Sequence, residues 1–457
     1  MTTSKTVKIR KGMNIPLKGE ADKVHGTPPV SDTFAIKPTD FHGIRPKLTV
    51  KQGDEVLAGS PLFFDKDNPD IVFTSPVSGE IAEIVRGEKR KILDILILAD
   101  KQNRHVDFPK GNPSNMSRED VIKTLLKSGT WPMIRQRPLD IIANPSDKPK
   151  SIFISAFDSN PLAPDMDFVV HGNGDDFQTG LDALAKLTEG RVHLNVRNEQ
   201  GASKVFLNAR NVQVNKVSGP HPAGNVGVQI HHIDPINKGE VVWFVTPQDV
   251  LVIGRLFNTG KFDASRMVAL AGPGIKKPQY YKTMIGASVK GLINEHATEG
   301  NHRIISGNPL TGKKIGKDGY LGFYDAQICV LDEGDHYEFF GWMAPGGNKF
   351  SLSRTYPSWL MKSKKYNIDT NLHGEHRAFV MSGQYEKVFP MDIFPVYLIK
   401  AIMANDIEKM EELGIYEVAP EDFALCEFVC TSKIDVQDVV RKGLDQIRIE
   451  NAPAKHH

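Results

Sequence analysis

Cysteine is scarce: Cys329, Cys426 and Cys430 are the only three in 457 residues. That is too few for a disulfide framework, so the chain reads as one kept in a reducing compartment. Long apolar runs are missing as well. The most apolar window, 241–254, is broken by Pro247, Gln248 and Asp249. It falls short of the ~20 residues that span a bilayer, so any membrane connection is expected to run through a partner. The opening MTTSKTVKIRKGMNIPL has charges but no apolar core, and no secretory signal is expected there. Charge of one sign is not in excess: 57 Lys and Arg face 55 Asp and Glu, for a net +2. Nothing in that balance calls for nucleic acid. Phosphate-binding glycine loops are absent. The nearest approach, GNPLTGKK (307–314), ends in Lys314 where a P-loop needs a hydroxyl. HExxH, GxSxG and the kinase motif set are also absent, which removes the motif grounds for a zinc protease, an α/β-hydrolase or a kinase. There is no internal repeat and no low-complexity tract.

What is present is ordinary soluble composition, 40% hydrophobic and 25% charged, over a length of 457 residues that corresponds to about three domains. The most shaped stretch is SGPHPAGNVGVQIHHIDP (218–235). Before it, VQVNKV (212–217) alternates as a strand does. From Gly219 to Gly224, two prolines fix the backbone and two glycines free it. Val226, Val228 and Ile230 then resume an apolar run. A strand followed by a Gly-rich turn is where open α/β sheets place ligands. His221 stands there between two prolines, either as a ligand contact or simply as a cap on the turn.

The rest divides by pattern. Val7 and Ile9 suit a short edge strand, and Gly26 to Pro29 a loop. LTVKQGDEVLAGSPLFF (48–64) and IVFTSPVSGEIAEI (71–84) give short strands with regular turns, a compact all-β unit. Ser117 and Asp120 form a capping box, Val121, Ile122, Leu125 and Leu126 an apolar stripe, and Gly129 a stop: a helix over 117–129. TWPMIRQRPL (130–139) follows as an exposed-looking segment. From 151 strands and helices alternate: SIFISAF (151–157), a turn DSNPLAPD (158–165), a helix face of Phe177, Leu181, Leu184 and Thr188 closed by Gly190, VHLNV (192–196), and VFLNARNVQVNKV (205–217). Residues 266–331 read strand, strand, helix, strand. FFGWMAPGGNKFSLSRTYPSWL (339–360) is aromatic and Gly-rich, an ordered linker or interaction loop. Beyond Asp392 the chain turns helical, with Pro395 in a first turn and Asp406 and Gly414 bracketing a short helix. The resulting expectation is an α+β multidomain chain: a biotinyl/lipoyl-like β barrel-sandwich (1–110), a Rossmann-like α/β domain (111–265), a β-grasp, SLBB-like module (266–335), a connecting segment (336–388) and a C-terminal helical domain (389–457).

Candidate chemistry is sparse. Cys426 and Cys430 lie four apart on a helix, but with no companion ligand at metal-site spacing they read as core packing. His231 and His232 would point to opposite faces of a strand. Glu421 and Asp422 fall in a first helical turn, where the dipole favours negative charge, and Glu411-Glu412 in a solvated helix face. No catalytic, metal or cofactor-binding residue is assigned. Two surface-like clusters suit an aromatic, carbonyl-bearing ligand such as a quinone: Phe41, His42 and Arg45, and Trp131, Arg135 and Arg137. Rings supply a flat wall, while His and Arg supply donors to the carbonyl oxygens. The same residues also serve as anchors for a protein partner.

KQGDEVLAG and SPVSGEIAEI resemble the two halves of a biotinyl/lipoyl-like barrel. Lys66, at the tip between them, has no flanking methionine and reads as a solvated charge. The ordered series RPKLTVKQGDEV, FTSPVSGEIAEI, SGPHPAG, ALAGP, YLGFYDAQICVL, FGWMAPGGNKFS, YEKVFPMDI and ALCEFVC, from 45 to 430, resembles the NqrA family, the A subunits of the Na⁺-translocating NADH:quinone reductases. That family is similar in turn to the C subunit of the Rnf complex and the flavin-bearing NADH subunit of complex I. The resemblance implies a peripheral subunit on the cytoplasmic face of the bacterial inner membrane, with five partner subunits, chiefly the membrane-embedded B subunit. The complex oxidises NADH, reduces ubiquinone or menaquinone and exports sodium. DSNPLAPD holds no glycine where the relatives cradle flavin, and only Cys426 and Cys430 stand near their cluster region. FAD, FMN, riboflavin and iron–sulfur are therefore expected in other subunits, and quinone as the substrate. Quinone binding is attributed to this subunit type, and the residues offered for it are Phe41, His42, Arg45, Trp131, Arg135, Arg137 and His221. The alternative is a docking subunit without a substrate site.

Overall fold

The N-terminal segment is shared between units rather than belonging to one. In the computed structural model, which describes residues 4–198, 201–341, 343 and 346–451, Thr6–Lys8 pairs parallel with Gln213–Ser218 and becomes the edge strand of a seven-stranded sheet. Further on, Asp22–Gly26 pairs parallel with Gln279–Met284 at the edge of a six-stranded sheet.

Residues 33–99 form two facing sheets. One orders Thr33–Ile36, Ile92–Ala99, Gly79–Arg86 and Glu55–Val56; the other orders Pro46–Leu48, Pro61–Asp65 and Val72–Thr74. Between them Phe63 stacks on Phe73, with ring centres 4.4 Å apart. The Gly-Asp turn needs its glycine: Gly53 has φ +88°, and its N–H donates to Ile81 O at 2.9 Å. Lys66 is exposed at the tip.

The helix Arg118–Ser128 begins and ends where its caps dictate. Ser117 Oγ accepts the Asp120 N–H at 3.1 Å, and Gly129 closes the helix at φ +74°. It packs against Val72–Thr74 and the turn Trp131–Met133. The seven-stranded sheet is ordered Thr6–Lys8, Gln213–Ser218, Arg191–Arg197, Ser151–Ser155, Val242–Phe244, Arg135–Arg137 and Ile141–Ile142. The first five strands run parallel, and the last two pairings are antiparallel. Helices Gly174–Ala185 and Pro247–Thr259 pack so closely that a Cβ on Gly180 would lie 2.1 Å from Val250 O. Two local expectations change. Within 205–217 only Gln213–Ser218 is extended, because Ser203 caps a helical turn, Lys204–Leu207, that buries Phe206 against Phe177. The apolar run after the Gly-rich turn is a helix, Val226–Ile233.

The expected strand, strand, helix, strand order is found as Ser265–Ala271, Gln279–Met284, Lys290–His296 and His302–Ser306, extended by Lys313–Ile315 and Gln327–Asp332. The helices Pro395–Met403, Ile407–Glu412, Ala424–Phe428 and Val436–Glu450 gather at the C-terminal end. Their core includes Leu398, Cys426, Cys430 and Val440, and it is continuous with Ile9, Met13, Phe153 and Val228 from the N-terminal segment and the seven-stranded unit. The two cysteines are thus packing residues. Among the described residues no helix is long and apolar enough to cross a membrane.

Candidate functional site at the junction of the units

The expectation of an exposed 130–139 segment is corrected. Trp131 is 0% and Arg137 1% exposed. The Trp131 indole packs edge-on to Trp243 with ring centres 5.5 Å apart, and its Nε1 donates to Ala143 O at 2.8 Å. A buried indole with its N–H satisfied is more stable inside than on the surface. Arg137 can be buried because Asp422, from the C-terminal unit, meets its Nη1 at 2.8 Å. Phe41 is likewise buried, not surface-like, and lies 4.4 Å from the Phe73 ring and 4.7 Å from Phe323.

The two quinone-suited clusters meet through residues the sequence did not single out. Phe41 approaches Tyr324 edge-on at 5.8 Å. The Arg135 guanidinium lies between the Tyr324 and Phe244 rings, 4.7 and 4.5 Å from their centres. Tyr324 donates to Pro132 O at 2.7 Å, and burial pushes its phenol well up, against the pull of Arg135. Asp140 then joins three cations: Arg441 at 3.1 Å, Arg135 at 3.8 Å and Arg137 at 4.0 Å. Burial opposes its charge, but the three guanidiniums hold its carboxyl below the usual range. His42 Nε2 sits 2.6 Å from Asp445 Oδ1. Burial works against the Asp445 charge as well, but the His42 hydrogen bond together with the attraction of His42, Arg441 and Arg448 keeps that carboxyl low. Arg448 donates to Gly43 O at 2.8 Å. The helix Val436–Glu450 therefore clamps the loop after Phe41 onto the seven-stranded unit.

Arg45 stays apart. It is exposed, with Nε 3.1 Å from Asp67, and its N–H donates to Asp65 at 2.9 Å. His221 is 1% exposed, so the turn does not present it to solvent. Ser159 Oγ lies 3.1 Å from His221 Nδ1, and the His221 N–H donates to Asn14 Oδ1 at 2.8 Å. Burial pushes its imidazole down to about 4, so it is neutral at physiological pH. The turn 158–165 has its polar groups engaged, partly within itself and partly with the 219–224 turn. Asp158 accepts from the backbone and side chain of Asn160, and Ser159 Oγ accepts the Gly224 N–H at 2.8 Å.

Glu421 and Asp422 do occupy a first turn, Pro420–Phe423, and Asp422 Oδ2 accepts the Ala419 N–H at 2.9 Å. What the sequence hid is their second task. Asp422 forms the buried pair with Arg137, and the Glu421 carboxyl is raised to about 7 by burial and by Asp422, against Arg137 and Arg135. His231 and His232, on one helix end, dock the C-terminal unit: His231 Nδ1 lies 2.8 Å from Glu417 and His232 Nε2 2.8 Å from Pro390 O. A crevice of about 1220 Å³ also opens between units, lined by residues including Arg303, Leu331, Tyr356, His373 and Glu427. None of the seven candidate residues lines it.

Comparisons with known proteins agree across the chain. Family models match three stretches: the NqrA N-terminal barrel-sandwich hybrid domain at 7–100, the NqrA second alpha/beta domain at 116–262 and the NQRA C-terminal domain at 267–317. The A subunit of the Na(+)-translocating NADH-quinone reductase of Neisseria meningitidis serogroup A is 40% identical over 448 residues, 97% of this chain and all of that one. Its counterpart in Pasteurella multocida is 39% identical over the same share. The counterpart in Rhodopirellula baltica is 37% identical over 98% of this chain and 99% of its own.

Proposed function

Because the chain belongs to the NqrA family, the A subunits of the Na(+)-translocating NADH-quinone reductases, we propose that it is the peripheral, cytoplasmic-side subunit of such a complex, held there chiefly by the membrane-embedded B subunit. The seven-stranded unit reads as Rossmann-like and the six-stranded one as β-grasp. FAD, FMN, riboflavin and iron–sulfur are assigned to the partner subunits. The turn 158–165 supports this: it is packed against the 219–224 turn so closely that a Cβ on Gly224 would already meet Ser159 N at 2.5 Å, and little room is left for a phosphate.

The chain's own contribution is to quinone binding, at the edge where His42, Arg135 and Tyr324 meet. The supporting observation is Arg135: its side chain is 27% exposed, its guanidinium lies over two rings, and among the described residues that guanidinium makes no hydrogen bond. It can donate to a quinone carbonyl without abandoning another acceptor. His42 has its Nε2 committed to Asp445 at 2.6 Å, which leaves its Nδ1 for a second contact. The burial of Phe41, Trp131, Arg137 and His221 favours a second reading, a scaffold that orders its partners without touching substrate.

Membranes depleted of this chain, assayed for NADH-driven quinone reduction with and without sodium, distinguish pump from non-pump. Recovery of sodium-stimulated activity on adding the chain back supports the assignment, and unchanged sodium-stimulated activity defeats it. Binding of a soluble quinone analogue to the purified chain, lost in Arg135→Gln and His42→Ala, separates the substrate site from the scaffold.

A further inference from the structure

From Phe339 to Ile368 the sequence contains no Asp or Glu but five cations, Lys349, Arg354, Lys362, Lys364 and Lys365. The same segment displays apolar side chains to solvent: Phe339 is 87%, Leu360 65%, Met343 54% and Trp359 49% exposed, with Tyr337 fully exposed just before. The display is built. Tyr356, buried, donates its hydroxyl to Gly341 O at 2.8 Å, and Lys349 Nζ donates to the same oxygen at 3.0 Å, joining the two halves. Tyr366 fixes the far end through its N–H to Pro16 O at 2.7 Å. The acids beside the patch are already paired, Glu338 with Lys349 at 2.6 Å and Glu20 with Lys365 at 2.9 Å. Arg354, Lys362 and Lys364 have no carboxylate partner among the described residues. Arg354 lies over the exposed Trp359 ring, 5.4 Å from its centre.

We propose that this face, carried by Phe339, Trp359, Leu360, Arg354 and Lys362, rests directly on the anionic headgroups of a lipid bilayer. Aromatic rings at headgroup depth with unpaired cations beside them are what a lipid interface selects. A protein interface instead enriches aromatics while depleting lysine, and three lysines crowd the end of this segment. Lys365 is met by Glu20, but the charge of Arg354, Lys362 and Lys364 is balanced by no carboxylate among the described residues and complements lipid phosphate and anionic headgroups. The contact is weak and reversible. It orients a subunit that partners hold in place, and it does not depend on the quinone reading.

The purified full-length chain is to be sedimented with vesicles of phosphatidylcholine alone and of phosphatidylcholine with an equal part of phosphatidylglycerol, at low and high salt. Binding is expected on the anionic vesicles only, weakened by salt. Arg354→Gln with Lys362→Gln lowers partitioning roughly ten-fold or more. Phe339→Ser with Trp359→Ser lowers it on anionic vesicles as well. All four side chains are exposed, so thermal unfolding is unchanged and serves as the control for folding. No binding to anionic vesicles, equal binding to neutral ones, or equal binding by native chain and variants overturns the proposal. So does binding confined to membranes that carry the partner subunits, which makes the face a protein interface.

Discussion

Replacing Asp422 by Asn separates the charge of the buried pair from its hydrogen bonds. Asn keeps an oxygen for the Ala419 N–H, now 2.9 Å from Asp422, but leaves the 1%-exposed Arg137 without its carboxylate at 2.8 Å. Among the described residues, Arg137 Nε and Nη2 already lack hydrogen-bond partners. The nearest remaining anion, Asp140, is 4.0 Å away and is shared with Arg135 and Arg441. Stranding a buried charge costs about 3–5 kcal/mol. Asp140 offsets part of that, so about 3 kcal/mol is expected for Asp422→Asn, and about the same for Arg137→Met. The double variant removes both charges and should cost less than the sum of the two, with a coupling of at least about 2 kcal/mol. A multi-unit chain need not unfold in one step. The cycle is therefore best read both by urea midpoints and by hydrogen exchange at amides 419–430, where local opening is expected first. A cost under ~1 kcal/mol for Asp422→Asn, or strict additivity of the two substitutions, would refute the reasoning.

The Glu421 carboxyl takes its proton near 7 in the folded chain against 4.5 unfolded. Stability is thus full below 4.5 and falls as pH rises through 7, and Glu421→Gln should gain about 2 kcal/mol at pH 8 and little below pH 4.5, read by denaturation at both pH values. His221 runs the other way. Folded it refuses a proton until about 4, against 6.5 unfolded, so its contribution is full above 6.5 and lost on the way down to 4. The stability gap between native chain and His221→Gln should narrow over that range in a pH series of thermal midpoints. Gly129→Ala places a Cβ at φ +74° and 2.2 Å from Thr74 Oγ1. It should cost at least ~1 kcal/mol by urea denaturation, whereas the same change at exposed Gly383, which also has positive φ but nothing within 4 Å, should cost less.

The sequence was readable wherever the cause was local. Ser117, Asp120 and Gly129 carry the limits of their helix within themselves, and the Gly53 turn fixes its hairpin-like reversal in the same way. Burial of the 130–139 segment was not readable, because the partner of Arg137 lies 285 residues further on. Without Asp422, an Arg beside a Trp looks like surface. Val7 was legible as part of a short edge strand, but the partners of the N-terminal strands were not: they pair with residues 216–218 and 279–281, and parallel pairing across such distances leaves no local turn to announce it. Val226, Val228 and Ile230 fit a strand as well as a helix. The tight fit of Gly227, where a Cβ would stand 2.5 Å from Asp422 Oδ1, shows that the choice is tied to a unit far along the chain. At the site, Phe41, His42 and Arg135 were legible as residue types and do converge. Tyr324 and Asp140, which join them, carry no motif, and only the folded chain brings them together.

The two arginines of that segment are chemically alike but electrostatically different, and the difference sets what each can offer a ligand. Arg137 has given its charge to Asp422. Using it for a ligand would strand a buried carboxylate, at a cost comparable to any affinity gained. Arg135 has its faces covered by Phe244 and Tyr324, its closest carboxylate at 3.8 Å and part of its side chain in solvent. Its edge donors remain free for a carbonyl. If the chain contacts quinone here, Arg135→Gln raises the apparent KM for quinone several-fold at a stability cost of about 1–2 kcal/mol, below that of Arg137→Met, since it removes two partly desolvated cation–π contacts but strands no buried charge. Arg137→Met lowers stability first, and activity only through loss of folded subunit. If instead both substitutions act through stability alone, with KM unchanged, the cluster is a clasp between units and the quinone lies against another subunit.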